Sequence, residues 1–486
     1  SRNHRFGHAG APSVIFTDII FFAFLTVVFG AYWLLQGKEA RLNLLLVASA
    51  VFYGWWDWRF LGLIGFVILI SWLVARFAAR RAPGEAFRRL ALIAGISANL
   101  AVIATFKYFG FFADSAREML ATIGLDPGWT ALNILLPVGI SFYVFQAISY
   151  IVDVARGDLS SEHRLRRVAL YIAFFPQLVA GPIVRAASFF PQMESVKTLS
   201  SALVFAGLRA FALGFAYKAG IADNLAQFVD PVFGDAQVAG DTDLAAWSNL
   251  ALVGATLAFG ALIYFDFAGY SLMAIGVARW FGFYIPMNFD HPYASPAIDD
   301  FWRRWHISLS SWLRDYLYIP LGGNRLSAGK TYRNLMVTMV LGGLWHGAAW
   351  TFVAWGAMHG AALAFHRALY KGRAAVGFLY GLIATQVFVL LTWVPFRAES
   401  FAGTLVIWSA FTGLRDGGSA EISAWVWLLV PLIALDAILG RGGLKALQAS
   451  RILRHPVVYW SGLGVLSGIM LALYPLEASP FVYFQF

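Results

Sequence analysis

Two histidines in strongly patterned surroundings are the first candidates for chemistry in this 486-residue chain. His346 lies in Leu341-Gly342-Gly343-Leu344-Trp345-His346-Gly347-Ala348-Ala349, where no neighbour is charged. Desolvation disfavours imidazolium there, so a neutral ring able to accept a proton is expected. The glycines let a substrate or another helix come close. A general base for hydroxyl attack on an acyl group needs these features; a hydrogen-bonded core histidine would leave the same local pattern. His306 follows Phe301-Trp302-Arg303-Arg304-Trp305 and precedes Ile307-Ser308-Leu309-Ser310. It could orient a substrate or the base, or be one polar residue of an interfacial helix. His359 and His366 share a helix face near the end of an apolar run, where a solvated or snorkelling role fits better than a metal pair. Asp266, in Tyr264-Phe265-Asp266-Phe267-Ala268-Gly269-Tyr270-Ser271, puts one carboxylate in apolar surroundings. It must pair, protonate or bind something, and a hydrogen bond to a neighbouring helix would satisfy it.

Other chemistries find little support. There is no His-Glu-x-x-His, Cys-x-x-Cys or acidic triad, so no metal site is expected. There is no Gly-x-Ser-x-Gly elbow for a serine acyl-enzyme. The chain has no cysteine, which excludes disulfides, thiolate metal sites and an acyl group carried on a cysteine.

These residues have to be positioned by membrane helices. The chain is 60% hydrophobic and 13% charged, against roughly a quarter charged in soluble proteins. Apolar runs recur at roughly 15–35, 42–56, 60–78, 90–112, 131–152, 168–184, 201–222, 244–265, 332–351, 352–370, 375–396, 404–413, 425–439 and 456–475. Several are short, and about eleven spanning helices are expected, with re-entrant or interfacial helices among them. The fold class is all-α and polytopic; a β-barrel would show short alternating segments. Residues 1–12 read as an unstructured basic tail, and residues 13–486 as one membrane domain.

The net charge of +10 sits mostly in loops, where it reports orientation and not a nucleic-acid partner. Arg76, Arg80, Arg81, Arg88 and Arg89 cluster in one loop, and Arg156, Arg164, Arg166 and Arg167 in another. The 113–130 loop between them, with Asp114, Arg117, Glu118 and Asp126, has no positive excess. The two basic loops therefore read as cytoplasmic and the N-terminus as outside. In 168–184, Phe174-Phe175-Pro176-Gln177-Leu178-Val179-Ala180-Gly181-Pro182 fits either a kinked helix or re-entrant backbone lining a cavity. Ser295 and Pro296 read as N-cap and first helical residue, with Asp299 and Asp300 in the opening turns. Trp302, Trp305, Leu309, Trp312 and Tyr316 then fall on one face, flanked by Arg303, Arg304 and Arg314. That suits a helix in the headgroup layer, so 295–325 is expected to be an interfacial motif and 332–370 the catalytic helix region.

Phe301–Asp315, the turn Leu321-Gly322-Gly323-Asn324-Arg325 and Leu341–Gly347 together resemble the membrane-bound O-acyltransferase family. The branch resembled is that of alginate O-acetylation and teichoic-acid D-alanyl transfer. Val51-Phe52-Tyr53-Gly54-Trp55-Trp56, Leu136–Tyr143, Ser149–Asp153, the run around Gly181-Pro182, Gly214–Asp223 and the ending Phe481–Phe486 match in the same order. The resemblance implies a tunnel through the bilayer, with His346 as the essential histidine and His306 as the second motif histidine. It also implies a cytoplasmic acyl thioester such as acetyl-CoA as donor substrate, without a tightly bound cofactor. A periplasmic or extracellular acetyltransferase partner, a polysaccharide acceptor and a bacterial inner-membrane location follow from the same resemblance. Trp305, Trp345, Arg314, Asp315, Asn324 and Asp266 are candidate tunnel or substrate residues, and Arg314 or Asp315 could hold His306 or a donor phosphate. Trp302–Trp305 and Leu321–Arg325 look like the acetylase side. Ala268 and Leu272 depart from it toward the D-alanyl-transfer side. Acetylation of an exported polysaccharide is the expectation. The alternatives are D-alanyl transfer by the same fold, and a transporter or scaffold without chemistry.

Overall fold

The computed structural model of the chain describes residues 16–440 except 83, 126–127, 129–133, 163, 235–243, 371–376 and 414, and scattered residues from 455 to 468. The 1–12 tail, most of the 456–475 run and Phe481–Phe486 lie outside the described residues. The described residues form helices and no strand, the all-α class expected. In chain order the helices are α1 (Ile19–Leu34), α2 (Lys38–Asp57), α3 (Phe60–Ala79), α4 (Ala86–Ile103), α5 (Phe109–Thr122), α6 (Ile140–Arg156), α7 (Leu165–Ala173), α8 (Phe175–Leu178), α9 (Ala186–Glu194) and α10 (Ser201–Phe215). They continue as α11 (Asp223–Phe233), α12 (Asn249–Trp280), α13 (Ile298–Arg304), α14 (Ile307–Leu313), α15 (Ala328–His346), α16 (Trp350–Tyr370), α17 (Phe378–Arg397), α18 (Phe401–Thr412) and α19 (Leu429–Ile438).

Five helices among the described residues are long and apolar enough to cross a membrane: Phe60–Ala79, Ala86–Thr122, Ser201–Phe233, Asn249–Trp280 and Phe378–Arg397. Two of them join neighbouring helices through widened π-type turns, at Ala104–Tyr108 and Ala216–Ala222. α2, α15 and α16 reach the length of a span but are more polar.

The described residues divide into two compact units. One takes in the described residues up to Phe211 with Ser271–Pro286. In it α6 is buried on nearly its whole circumference, its polar stripe of Gln146, Ser149 and Asp153 included. The basic cluster lies at the start of α7, not wholly in a loop, and is paired: Arg164, Arg166 and Arg167 converge on Glu39, and Arg167 also meets Glu162 and Glu194. The Lys38 and Arg167 hydrogen bonds hold the Glu194 carboxyl down, at about 2. Two more expectations change here. Asp114, Arg117 and Glu118 are not in a loop but on α5, where Arg117 pairs with Asp114 at 3.4 Å. The 168–184 run is not one kinked helix: α7 ends at Ala173, α8 is a single turn, and a turn and irregular backbone follow. This irregular stretch is buried in protein, with Phe175 N–H on Ser49 Oγ at 3.1 Å and Gln177 Nε2–H on Tyr171 O at 2.7 Å. Non-helical backbone survives at membrane depth only with such partners.

The other unit takes in Ala212–Tyr270 and the described residues from Met287 on, and holds both candidate histidines. Its first expectation to change is the 301–316 helix. The chain forms two short helices, α13 and α14, broken at Trp305-His306. α13 begins at Ile298 with Ala297 in the cap position, two residues after the expected Pro296; Asp299 and Asp300 do occupy its first turn. They pair with Arg303 and Arg304 one turn on, at 2.8 and 2.9 Å. Trp305, Leu309 and Trp312 are buried against protein, and Trp302 and Tyr316 are partly exposed.

Candidate functional site

His346 is the last residue of α15, and Gly347 leaves the helix in extended backbone. α15 lies on α16 along a seam of small residues. A Cβ on Gly343 would sit 2.2 Å from the Phe352 carbonyl oxygen, and one on Gly356 2.3 Å from that of Met339. Gly356 and Gly360 have the spacing through which membrane helices bring their backbones together. Gly347 lies under the Phe352 ring, where an added Cβ would be 2.0 Å from Cε2. The room beside these glycines is therefore occupied by the partner helix.

His306 is placed by the break between α13 and α14. Ile307 N–H donates to Asn288 O at 2.8 Å, and Asp290 N–H donates to Arg304 O at 3.0 Å, a two-way backbone clasp. Asn288 Oδ1 accepts Ser308 N–H at 3.2 Å and Ser308 Oγ–H at 2.9 Å. The opening amides of a helix have no intrahelical partner, and Asn288 supplies one from a distant segment. His306 occupies the cap position in left-handed backbone, with φ +43°. Its Nδ1 lies 3.1 Å from the same Asn288 Oδ1. The residue is outside the five candidate spans, and burial pushes its imidazole down, to about 3.

The two histidine rings meet at a centroid separation of 6.3 Å. Trp345 stands edge-on to both, 5.8 Å from His306 and 5.0 Å from His346. Phe267 of α12 lies 4.6 Å from His306; Trp355 and Phe396 lie 5.1 and 5.4 Å from His346. Trp305 is fully buried between Phe301 and Trp393, at 5.5 and 5.0 Å. A ring nitrogen lies a little over 1 Å from its centroid, so the nearest nitrogens of the pair are separated by about 4 Å or more, beyond direct hydrogen-bond reach.

Of the candidates, the structure thus brings together His306, His346, Trp345 and Trp305. Asp266 pairs with Lys218 at 2.8 Å, and Lys218 with Asp223 at 2.5 Å, all three buried. This is the structural pairing that an acid in an apolar run demands. Arg314 is exposed and donates to Asp315 at 2.7 Å, whereas the His306 Nδ1 partner is Asn288. Asn324 is an exposed turn residue.

His359 departs from expectation: it is buried, not solvated. Trp302 Nε1–H donates to its Nδ1 at 3.2 Å, and its Nε2 faces Thr392 Oγ1 at 3.1 Å. Indole only donates, so Nδ1 accepts and Nε2 carries the proton. The α15–α16 seam turns this face inward, which position in the run did not reveal. His366 stays partly exposed, 3.7 Å from Asp299.

Sequence reasoning gave no role to Asn288, Lys218 or Asp436. Asp436 accepts from Tyr264 at 3.3 Å and pairs with His291 Nδ1 at 2.8 Å, and that hydrogen bond raises the His291 imidazole. An ionisable residue inside an apolar run was the available signal for Lys218 and Asp436. Asn288 carried none.

Residues 158–397 match the family model described as MBOAT, membrane-bound O-acyltransferase family. The chain is 44% identical over 413 residues to a probable alginate O-acetylase of Pseudomonas aeruginosa, covering 84% of this chain and 76% of that protein. It is 35% identical over 441 residues to a peptidoglycan O-acetyltransferase of Helicobacter pylori, covering 84% and 81%. A teichoic acid D-alanyltransferase of Bacillus subtilis is 31% identical over 242 residues, covering 47% and 58%.

Proposed function

The chain belongs to the membrane-bound O-acyltransferase family and is a membrane O-acyltransferase, and from that premise we propose that it O-acetylates an exported polysaccharide, drawing acetyl groups from a cytoplasmic thioester such as acetyl-CoA. One observation carries this reading: two histidines from separate elements meet inside an aromatic shell, in a chain 44% identical to a probable alginate O-acetylase. His346 is the general base. It takes the proton of an acceptor hydroxyl as that oxygen bonds to the thioester carbonyl carbon. The C–S bond breaks, and the proton passes to the departing thiolate. With no cysteine in the chain, no acyl-thiol enzyme forms on the way. The apolar shell keeps water from the thioester.

The acetyl group leaves outward through a tunnel as the ester of that acceptor hydroxyl. A periplasmic or extracellular acetyltransferase partner completes its delivery. The protein resides in the bacterial inner membrane with its N-terminus outside, in keeping with the basic loops. A second polymer has specific support: the likeness to a peptidoglycan O-acetyltransferase spans 81% of that protein, so peptidoglycan is the alternative acceptor for the same chemistry. D-alanyl transfer rests on the shorter match alone.

The test is purified protein with labelled acetyl-CoA, wild type beside His346→Ala, with and without a partner and each polymer. Wild type releases or transfers the label, and the variant, equally inserted and monodisperse, does not. A wild-type protein that neither hydrolyses nor transfers acetyl under any of these conditions defeats the reading, and turnover of a D-alanyl thioester instead would redirect it.

A further inference from the structure

We propose that Asn288 is a positioning residue that locks His306 in the Nδ1–H tautomer, so that His306 meets the reaction only as a proton acceptor at Nε2; this rests on the acyltransfer reading for its consequence but not for its geometry.

The argument proceeds donor by donor. An asparagine side chain presents an acceptor oxygen at one end and a donor NH2 at the other. Which end faces His306 is decided by a third group, the Ser308 backbone amide, which can only donate and lies 3.2 Å from Oδ1. The Ser308 hydroxyl at 2.9 Å adds a second donor to the same atom. Oδ1 is therefore the end directed at α14. His306 Nδ1, 3.1 Å from that acceptor, must carry a hydrogen. A buried ring is neutral, so it holds one proton. With that proton on Nδ1, Nε2 has the lone pair.

The consequence lies in the gap between the rings. His346 is the titratable group facing His306, at 6.3 Å between centroids; Phe267, Phe289 and Trp345 are its other ring neighbours. On the elements around it, Arg304 pairs with Asp300, and Asp266 with Lys218. An acceptor nitrogen on this ring can take a hydrogen from a substrate hydroxyl bound beside the two histidines, or order a water there. In the other tautomer His306 would present N–H and compete with the hydroxyl for the base.

The experiment uses full-length protein in nanodiscs with 15N-labelled histidine, His306 being assigned among the nine histidines by the signals that His306→Asn removes. In wild type the proton is expected on Nδ1; a proton on Nε2 overturns the proposal whatever the activity. Acetyl turnover is then followed against pH for wild type, Asn288→Asp and Asn288→Leu. Aspartate keeps an acceptor for all three donors and so keeps α14 capped. Its carboxylate holds a proton on the ring, so the acidic limb of the rate profile moves up by about one to three pH units. Leucine loses turnover by about 10²-fold or more, within the range a positioned proton acceptor supplies. An Asn288→Asp profile that superposes on wild type, or Asn288→Leu turning over as wild type does, rejects the positioning role. A wild type inactive with acetyl-CoA would refute the donor assignment alone, since the tautomer is read without turnover.

Discussion

Replacing Gly343 with alanine adds one methyl group where backbone already lies. The new Cβ would be 2.2 Å from the Phe352 carbonyl oxygen and 3.1 Å from the Gly356 Cα and N. Contacts under 3.0 Å essentially do not occur for a Cβ, so α15 and α16 must separate by at least 0.8 Å at this level. The obstacle is backbone on both sides, and no side chain can swing away. His346 lies one helical turn further along α15 and moves with it. A displacement near 1 Å at a catalytic group costs about 10²-fold in rate, and overpacking of this kind costs about 1–3 kcal/mol in stability. Gly343→Ala should therefore insert, lose a few degrees of thermal stability, and lose kcat for acetyl transfer by about 10²-fold. Gly329→Ala, on the same helix with nothing within 4 Å of the added methyl, is the control and should leave both unchanged. If Gly343→Ala turns over within about threefold of wild type while Gly329→Ala does too, the seam does not set the position of His346.

The buried triad gives a sharper stability effect. Lys218→Met leaves the Asp223 and Asp266 carboxylates without the ammonium between them, and removal of one member of a buried pair costs about 3–5 kcal/mol. The heat-induced loss of monodisperse protein should shift down, and replacing both acids by leucine in the same background should recover most of the shift; a Lys218→Met protein as stable as wild type contradicts the pairing. The His291–Asp436 pair predicts a pH dependence. The folded imidazole is raised by its hydrogen bond, so its stabilisation is full below the unfolded value of about 6.5 and fades as pH rises through the folded one. Wild type should lose more thermal stability than Asp436→Asn between pH 6 and pH 8, and parallel losses would show that the pair contributes nothing to that slope.

Much of the architecture is legible in the chain because bilayer thickness writes itself as run length. Phe60–Ala79 and Phe378–Arg397 nearly coincide with their apolar runs. His346 is legible for a related reason: a titratable ring in an uncharged run is costly and so conspicuous. The break at His306 is not, because Trp302, Trp305, Leu309, Trp312 and Tyr316 keep a helical period straight across it. What interrupts the helix is Asn288, eighteen residues upstream, through its carbonyl and its side chain. Nothing local to 301–316 encodes that contact. The same holds for His359, whose apparent exposure was a matter of position in a run. Its burial follows from Gly356 and Gly360 drawing α16 onto α15.

Trp305 and His306 explain what the break accomplishes. They are consecutive, and both are completely buried. The chain turns the second ring by taking His306 into left-handed backbone, a conformation that costs a non-glycine residue about 1–3 kcal/mol and persists only where the surroundings enforce it. Here the enforcing contacts are the Ile307 and Asp290 amide bonds across the clasp and the two Ser308 donors on Asn288. Three hydrogen bonds to one asparagine and one reciprocal bond to Arg304 offset a strain of that size, at about 1 kcal/mol each. Strain maintained in this way, at a residue whose ring faces a second histidine across an aromatic shell, is what a positioned reacting group requires.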